Sequence, residues 1–161
     1  MQIVAVTPNR IAEFTDLREA SGRELVESVI DGEGWRDRFV QYLRARQEAG
    51  ELQCFAAVDD GAFIGMSIAS IVDDYRFATF GERRGYVNSV YVAPAYRGQG
   101  TGRALTEAAI AWLGAQGCTY VRLRPSPKAE PLYRAMGFVE SGELELDLGD
   151  RDMSRFTGDE R

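Results

Sequence analysis

Three glycines stand at alternate positions, Gly98, Gly100 and Gly102, on a boundary between two patterns. Upstream, Tyr86-Val87-Asn88-Ser89-Val90-Tyr91-Val92 is an apolar, β-rich stretch. Downstream, Ala104, Leu105, Ala108, Ala109, Trp112 and Leu113 recur at helical spacing. A strand that turns through glycines into a helix offers unpaired N–H groups and the positive end of a helix dipole, with no side chains to hold a ligand off. The chemistry of such a turn is anion binding, most simply of a phosphate. Two common phosphate loops do not fit. A P-loop needs a Lys after its second glycine, and none follows here. The dinucleotide fingerprint needs Gly-x-Gly-x-x-Gly, but the third position is Arg103 counted from Gly98 and Leu105 counted from Gly100. The acid expected further on is replaced by Arg122 and Arg124.

The pattern that does fit is Arg-x-x-Gly-x-Gly, from Arg97 to Gly102. Val92-Ala93-Pro94 and Tyr96 precede it, and Ala129, Tyr133 and Gly137-Phe138 follow it in order. On these residues the chain resembles the GNAT superfamily of N-acetyltransferases. The resemblance implies acetyl-CoA as cosubstrate and no metal. It implies that the backbone across Arg97, Gly98, Gln99, Gly100, Thr101, Gly102 and Arg103 binds the pyrophosphate, with the two arginines adding charge. It places Val90, Tyr91 and Val92 along the pantetheine arm, with an N–H near Val90 polarising the thioester carbonyl. Tyr133 matches the family's general acid, which protonates the leaving thiolate. Ser126 stands where the family often has Asn, as a hydrogen-bonding residue for the cofactor. Asn88 and Ser89 stand where many members carry an acid. Neither is a base at neutral pH, so Asn88 is expected to hold a relaying water, with Asp73, Asp74 or Glu82 as further candidates for the base.

Composition narrows the chemistry. There is no histidine, so acid–base work falls to carboxylates, Tyr, Cys, Lys or water, and a histidine triad is excluded. Cys54 and Cys118 are far apart and in no metal-ligand spacing; Cys54 reads as a buried strand residue and Cys118 as a turn residue. Neither has a partner base, so direct attack by an amine is expected rather than a covalent enzyme intermediate. A net charge of −6 argues against a nucleic-acid partner and for a small or peptide-borne cationic amine. Glu24, Glu27, Asp31 and Glu33 are candidate lures for that amine, and Trp35, Tyr75 and Phe77 candidate walls of its pocket. The N-terminus lacks the pattern of a signal peptide, and no apolar run has the length of a membrane span, so a cytoplasmic protein without membrane contact is expected. An acyl-CoA sensor without turnover is the alternative of another class; a binder of ATP or NAD is a third.

The elements that must position these residues follow from periodicity and turn chemistry. A strand over Ile3–Val6 leads through Thr7-Pro8 into a helix that stops near Ser21-Gly22, and a second amphipathic piece runs from Arg23 to Ile30. After Asp31-Gly32-Glu33-Gly34 a helix with Trp35, Phe39, Tyr42 and Leu43 ends at Gly50. Gln53–Val58 and Ala62–Val72 form a hairpin about Asp59-Asp60-Gly61, with Gly65 marking a bulge. The glycine loop's strand and helix come next, then a strand at Tyr120–Arg124, a short helix with Ala129, Leu132, Tyr133 and Met136, and a hairpin about Ser141-Gly142. The fold class is α/β, mixed: a GNAT-like single domain with a mostly antiparallel central sheet, split at the cofactor site, and helices on both faces. Its bounds are 1–148, with 149–161 a polar tail. The Leu144/Leu146/Leu148 face is either core or the contact of a homodimer.

Overall fold

The computed structural model describes residues 1–25, 32–72 and 83–143. The chain divides into two compact units, Met1–Arg124 and Pro125–Arg161. The first holds a five-stranded sheet in the order β1-β2-β3-β4-β5. These strands are β1 (Gln2–Ala5), β2 (Leu52–Asp59), β3 (Ala62–Val72), β4 (Arg83–Val92) and β5 (Cys118–Arg122). The first four pair antiparallel and β5 joins β4 in parallel. The helices of this unit are α1 (Ile11–Leu25), α2 (Trp35–Glu48) and α3 (Thr101–Ala115). The class is mixed α/β, with helices on both faces of a mostly antiparallel sheet.

Strand alternation sorts two cores. Cys54, Ala56, Met66 and Ile68 turn one way, onto Ile11, Phe14 and Leu17 of α1 and Leu43 of α2. Phe55, Ala57, Ala69, Ile71 and Val87 turn the other way, onto Leu105, Ala109 and Leu113 of α3. Each fully buried Leu, Ile or Phe contributes about 1.5–3 kcal/mol relative to exposure, so both helical layers are held chiefly by these stripes.

Several boundaries differ from the periodicity reading. A 3₁₀ turn at Pro8–Arg10 runs directly into α1, and α1 passes through Ser21-Gly22 instead of ending there. Glycine inside a helix costs about 1 kcal/mol against alanine. The buried Ile11, Phe14, Leu17 and Ser21 hold the helix to the sheet before that glycine, and Glu24 beyond it is held by Arg97. β5 starts at Cys118 rather than Tyr120, so Cys118 is a strand residue; Gly117, with φ +83°, makes the turn before it. Of the second amphipathic piece, residues 26–31 lie outside the described residues, as do the loop carrying Asp73, Asp74, Tyr75, Phe77, Phe80 and Glu82, the Leu144–Leu148 arm and the tail.

Gly65 does lie at an irregularity: Ala57 opposes Gly65 and Val58 opposes Phe63, which leaves Ile64 unpaired in the register. A side chain at Gly65 would come within 3.0 Å of Leu105. In the second unit, α4 (Glu130–Ala135) is the expected short helix, closed at Gly137 with φ +94°. Phe138–Gly142 carries no strand, because none of the described residues pairs with it.

α3 lies so close to β4 that a Cβ at Gly85 would be 2.7 Å from Leu113 Cδ1 and 3.0 Å from its Cγ. Leu113 is fully buried and has no free direction to yield. Gly85→Ala is therefore expected to cost about 1–3 kcal/mol in urea unfolding. The same change in a Leu113→Ala background should cost much less, and an undiminished cost there would locate the strain elsewhere.

Candidate acyl-donor and acceptor site

The glycine turn has the predicted geometry. Gly100 is the N-cap of α3 with φ +81°, and Gly98 has φ +74°, both in the left-handed region that side chains avoid. A Cβ built at either would meet nothing within 4 Å, so the backbone here faces open space. The Ala104 N–H is the first to close a turn of α3, onto the Gly100 carbonyl at 3.0 Å. By helix geometry the N–H groups of Thr101, Gly102 and Arg103 lack such a partner and point out of the helix start. The loop is tied down from beneath. Thr101 is buried, Thr106 donates to the Gly102 carbonyl at 2.8 Å, and Ser67 of β3 donates to the Leu105 carbonyl at 3.0 Å. Gln99 Nε2 donates to the Ala95 carbonyl, and Arg103 pairs with Glu107 on the helix surface.

The strand before the loop is split from its neighbour. β4 pairs with β5 only from Arg83 opposite Cys118 to Tyr86 opposite Arg122, and β4 then runs on to Val92 without it. On the other side the β3 register slips between Met66 and Ile68, which oppose Tyr91 and Asn88. Ser89 and Val90 thus face one residue of β3, and Ser89 takes φ +53°. This is a β-bulge at a non-glycine residue. Nothing in the sequence marked it, since Ser carries no left-handed signature.

The Ala93 N–H donates to Ile64 of β3 at 2.9 Å. Peptide groups alternate along a strand, so Tyr91 also faces β3 while the Val92 peptide faces the open edge. The Val92 carbonyl is already used there: Arg97 Nε donates to it at 2.8 Å. The same guanidinium holds both oxygens of Glu24, at 2.7 and 2.6 Å, and sits 5.5 Å from the centre of the Tyr91 ring. Arg97 thus spends its side chain joining α1 to β4. Burial, with the Glu24 carboxylate next, pushes the Tyr91 phenol above its ordinary pKa.

Of the acids expected to attract an amine, Glu24 is engaged in this pair and Glu27 and Asp31 lie outside the described residues. Trp35 packs against Phe39 at 6.2 Å. The cavity next to β4 lies further along α2. It measures about 410 Å³ and is lined by Tyr42, Arg46, Glu51, Ser70, Ile71, Val72, Tyr86 and Asn88. Asn88 therefore does face a ligand-sized space. Tyr42, Arg46 and Glu51 were missed, although Arg84, Tyr86 and Asn88 alternating with buried Val87 was a legible sign that polar groups share one face.

Tyr133 belongs to the second unit and is described within it. It is buried on α4, its ring edge-on to Phe138 with centroids 5.9 Å apart. The Phe138 N–H returns to the Tyr133 carbonyl at 3.1 Å. The Ser126 carbonyl accepts from Ala129 and Glu130 at 2.9 and 3.0 Å and so starts α4, while the residue itself is exposed. Among the described residues no three metal-binding side chains cluster, and no helix is long and apolar enough to cross a membrane.

Cys54 is fully buried on β2, and burial pushes its thiol up to about 12. It stays protonated at neutral pH, so iodoacetamide should leave it unmodified in the native protein and label it after urea. Above the ordinary thiol range the unfolded chain releases a proton that the native state keeps, so this group lowers stability as pH rises from about 8.5 towards its folded value. Urea titrations at rising pH should show a shallower decline in Cys54→Ala.

The family model for the acetyltransferase (GNAT) family matches residues 14–138. Glucosamine 6-phosphate N-acetyltransferase of Trypanosoma brucei brucei is 32% identical over 105 residues, 64% of this chain and 70% of that protein. Aminoglycoside N(6')-acetyltransferase type 1 of Salmonella typhimurium is 29% identical over 97 residues, 58% of this chain and 67% of that protein. A GCN5-related N-acetyltransferase from Ralstonia eutropha superposes with a TM-score of 0.77 at 22% identity, covering 91% of this chain and 97% of the other. A predicted acetyltransferase from Clostridium acetobutylicum, solved with acetyl-CoA, superposes with a TM-score of 0.75 at 20% identity, covering 91% and 96%. With the loop, the split strand and this match together, the chain is a member of the GNAT acetyltransferase family.

Proposed function

We propose that the protein transfers the acetyl group of acetyl-CoA to a primary amine by direct attack. The observation that carries this reading is the opening of β4 from β5 directly ahead of the glycine turn. The residues present fit the cosubstrate. Open space over Gly98 and Gly100 admits a pyrophosphate to the N–H groups at the start of α3. The free edge of β4 offers the backbone of Val90 and Val92 to an extended amide-bearing arm, as a missing strand would. An N–H near Val90 is the proposed donor to the thioester carbonyl, which gathers negative charge as the amine adds. The roles of Gln99, Thr101, Gly102 and Arg103 are those of backbone around the phosphates. Arg97 contributes its amide there, since its guanidinium is engaged with Val92 and Glu24. Ser126 is proposed as a further contact to the donor.

Tyr133 is the proposed general acid: a phenol can return a proton to a departing thiolate. Asn88 is proposed to hold the water through which the amine loses its proton. Among the described residues Glu51 is the one carboxylate that lines the cavity, and Arg46 already holds it at 3.1 Å. The reading takes residues 1–148 as the acetyltransferase domain, 149–161 as a tail and the cytoplasm as its setting. Neither Cys54 nor Cys118 forms a disulfide, in keeping with a reducing compartment.

Thiol release from acetyl-CoA, followed across a panel of primary amines, tests the function. Tight CoA binding without turnover on any amine would favour a sensor instead. Gly100→Glu places a charged side chain in a left-handed position facing the phosphates, and should abolish CoA binding without unfolding the protein. Undiminished CoA binding in a folded variant would remove the loop from the site. Tyr133→Phe should lower kcat roughly a hundredfold with the dissociation constant for acetyl-CoA unchanged. An unchanged kcat would assign the proton to another donor.

A further inference from the structure

Between the end of β4 and the start of α3 the chain is tied at both ends of the glycine turn. The 3₁₀ turn Pro94–Tyr96 closes on itself, with the Tyr96 N–H on the Ala93 carbonyl at 2.9 Å and the Arg97 N–H on the Pro94 carbonyl at 3.3 Å. At the far end Thr101, buried in the first turn of α3, donates to the Tyr96 carbonyl at 3.4 Å. Gly98, Gln99 and Gly100 lie between, two of them left-handed glycines. Glycine loses more freedom on ordering than any other residue. A ligand that finds this turn already set therefore binds better than one that must order it.

The near end is set by a side chain. Arg97 Nε donates back to the Val92 carbonyl at 2.8 Å, which ties the residue before the turn to the last residue of β4. A long arginine side chain loses rotamer freedom in making such a tie, and a second partner in the same orientation offsets that loss. Glu24 is that partner. Its two oxygens take Nη1 and Nη2 at 2.7 and 2.6 Å, the two-pronged geometry in which an arginine–carboxylate pair is strongest. Glu24 stands in the last turn of α1, and Phe14 and Leu17 of that helix share a core with Met66 and Ile68 of β3. The carboxylate is thus carried by the same sheet that carries the turn.

Two roles for Arg97 make opposite demands on Glu24. A guanidinium serving the phosphates as a charge would be drawn off by the carboxylate, and removing Glu24 would strengthen donor binding. A guanidinium serving as a tie is supported by the carboxylate, and removing Glu24 would weaken donor binding. All three nitrogens of Arg97 already donate to Val92 and Glu24, which favours the tie. We infer that Glu24 is a positioning residue for the acyl donor: through Arg97 it holds the glycine turn against the end of β4, without touching the donor. Its role rests on the acetyl-CoA reading of this turn, and adds to that site a residue 73 positions away on α1.

Calorimetric titration of CoA into the wild type, Glu24→Gln, Arg97→Gln and the double variant tests this role. The pair is partly exposed, so the substitutions leave the core intact. Glu24→Gln should raise the dissociation constant about threefold or more. Arg97→Gln should raise it at least as much, and Glu24→Gln should add nothing in that background, because its effect passes through Arg97. Arg97→Lys keeps the charge but loses the two-pronged pair, and should resemble Arg97→Gln. In turnover, Glu24→Gln should raise KM for acetyl-CoA with kcat little changed. Glu19→Gln is the control: it breaks ion pairs of the same helix with Arg23 and Arg36 and should leave CoA binding as it is. Tighter or unchanged CoA binding in Glu24→Gln, full affinity in Arg97→Lys, additive effects in the double variant, or an equal loss in Glu19→Gln would each overturn the positioning role while the donor site stands. The expected pattern without turnover of any amine upholds the positioning role while acetyl transfer falls. A wild type that does not bind CoA removes the donor site and this role with it.

Discussion

The parallel pairing of β4 with β5 stops at Tyr86 and Arg122, and much of the molecule is arranged around that interruption. A strand edge with unmet N–H and C=O groups is costly when it is hidden from water without a partner. Here one of the edge groups, the Val92 carbonyl, takes the Arg97 guanidinium, and β5 pairs with none of β4 beyond Tyr86. The bulge at Ser89 re-aims the strand at the same point. Bulges bend a strand and sharpen its twist, which draws β4 away from a neighbour it would otherwise follow. A left-handed serine carries strain, and its surroundings keep it there: β3 fixes the register on both sides of it.

The helix after the loop depends on the same arrangement. α3 is seated by Leu105, Ala109 and Leu113, and its first turn is fixed to β3 by the Ser67 hydroxyl. Glycine at 65 and 85 lets the helix lie close to both strands. Two kinds of glycine are therefore present near the site. Those at 98 and 100 leave space and supply a backbone shape, whereas those at 65 and 85 remove space so that the helix can approach. The N-terminal end of the helix is aimed by the second kind and exposed by the first.

The turn from strand to helix was legible because its signals are local. Gly98 and Gly100 mark φ values that other residues resist, and the apolar spacing from Leu105 to Leu113 is that of a helix. The hairpin at Asp59-Asp60-Gly61 and the strand alternation were legible for the same reason. What could not be read was set by tertiary context. Gly22 looks like a helix terminator, but the face that carries Phe14 and Leu17 overrides it. Ser89 has no residue-type signature for its backbone. The partner of Arg97 is 73 positions away, at Glu24, so a residue that looked like a phosphate ligand is committed elsewhere by a contact no local pattern contains. The cavity draws on α2, on Glu51 and on two strands, β3 and β4, and no local pattern joins them.

The sheet divides the two cores so that alternate residues of β2 serve different masters, Cys54 and Ala56 on one side, Phe55 and Ala57 on the other. Most residues that line the cavity come from α2 and from one face of β3 and β4, with Glu51 ahead of β2, while those that seat α3 come from the opposite face, Ile71 serving both. Substitutions at sites that share no partner combine almost additively. Over evolutionary time drift at Tyr42, Arg46 or Glu51 can reshape the cavity without disturbing the packing that seats α3. The lining of the cavity and the seat of the loop's helix are inherited through largely separate sets of side chains, and a laboratory library confined to the α2 face would vary the first while holding the second constant.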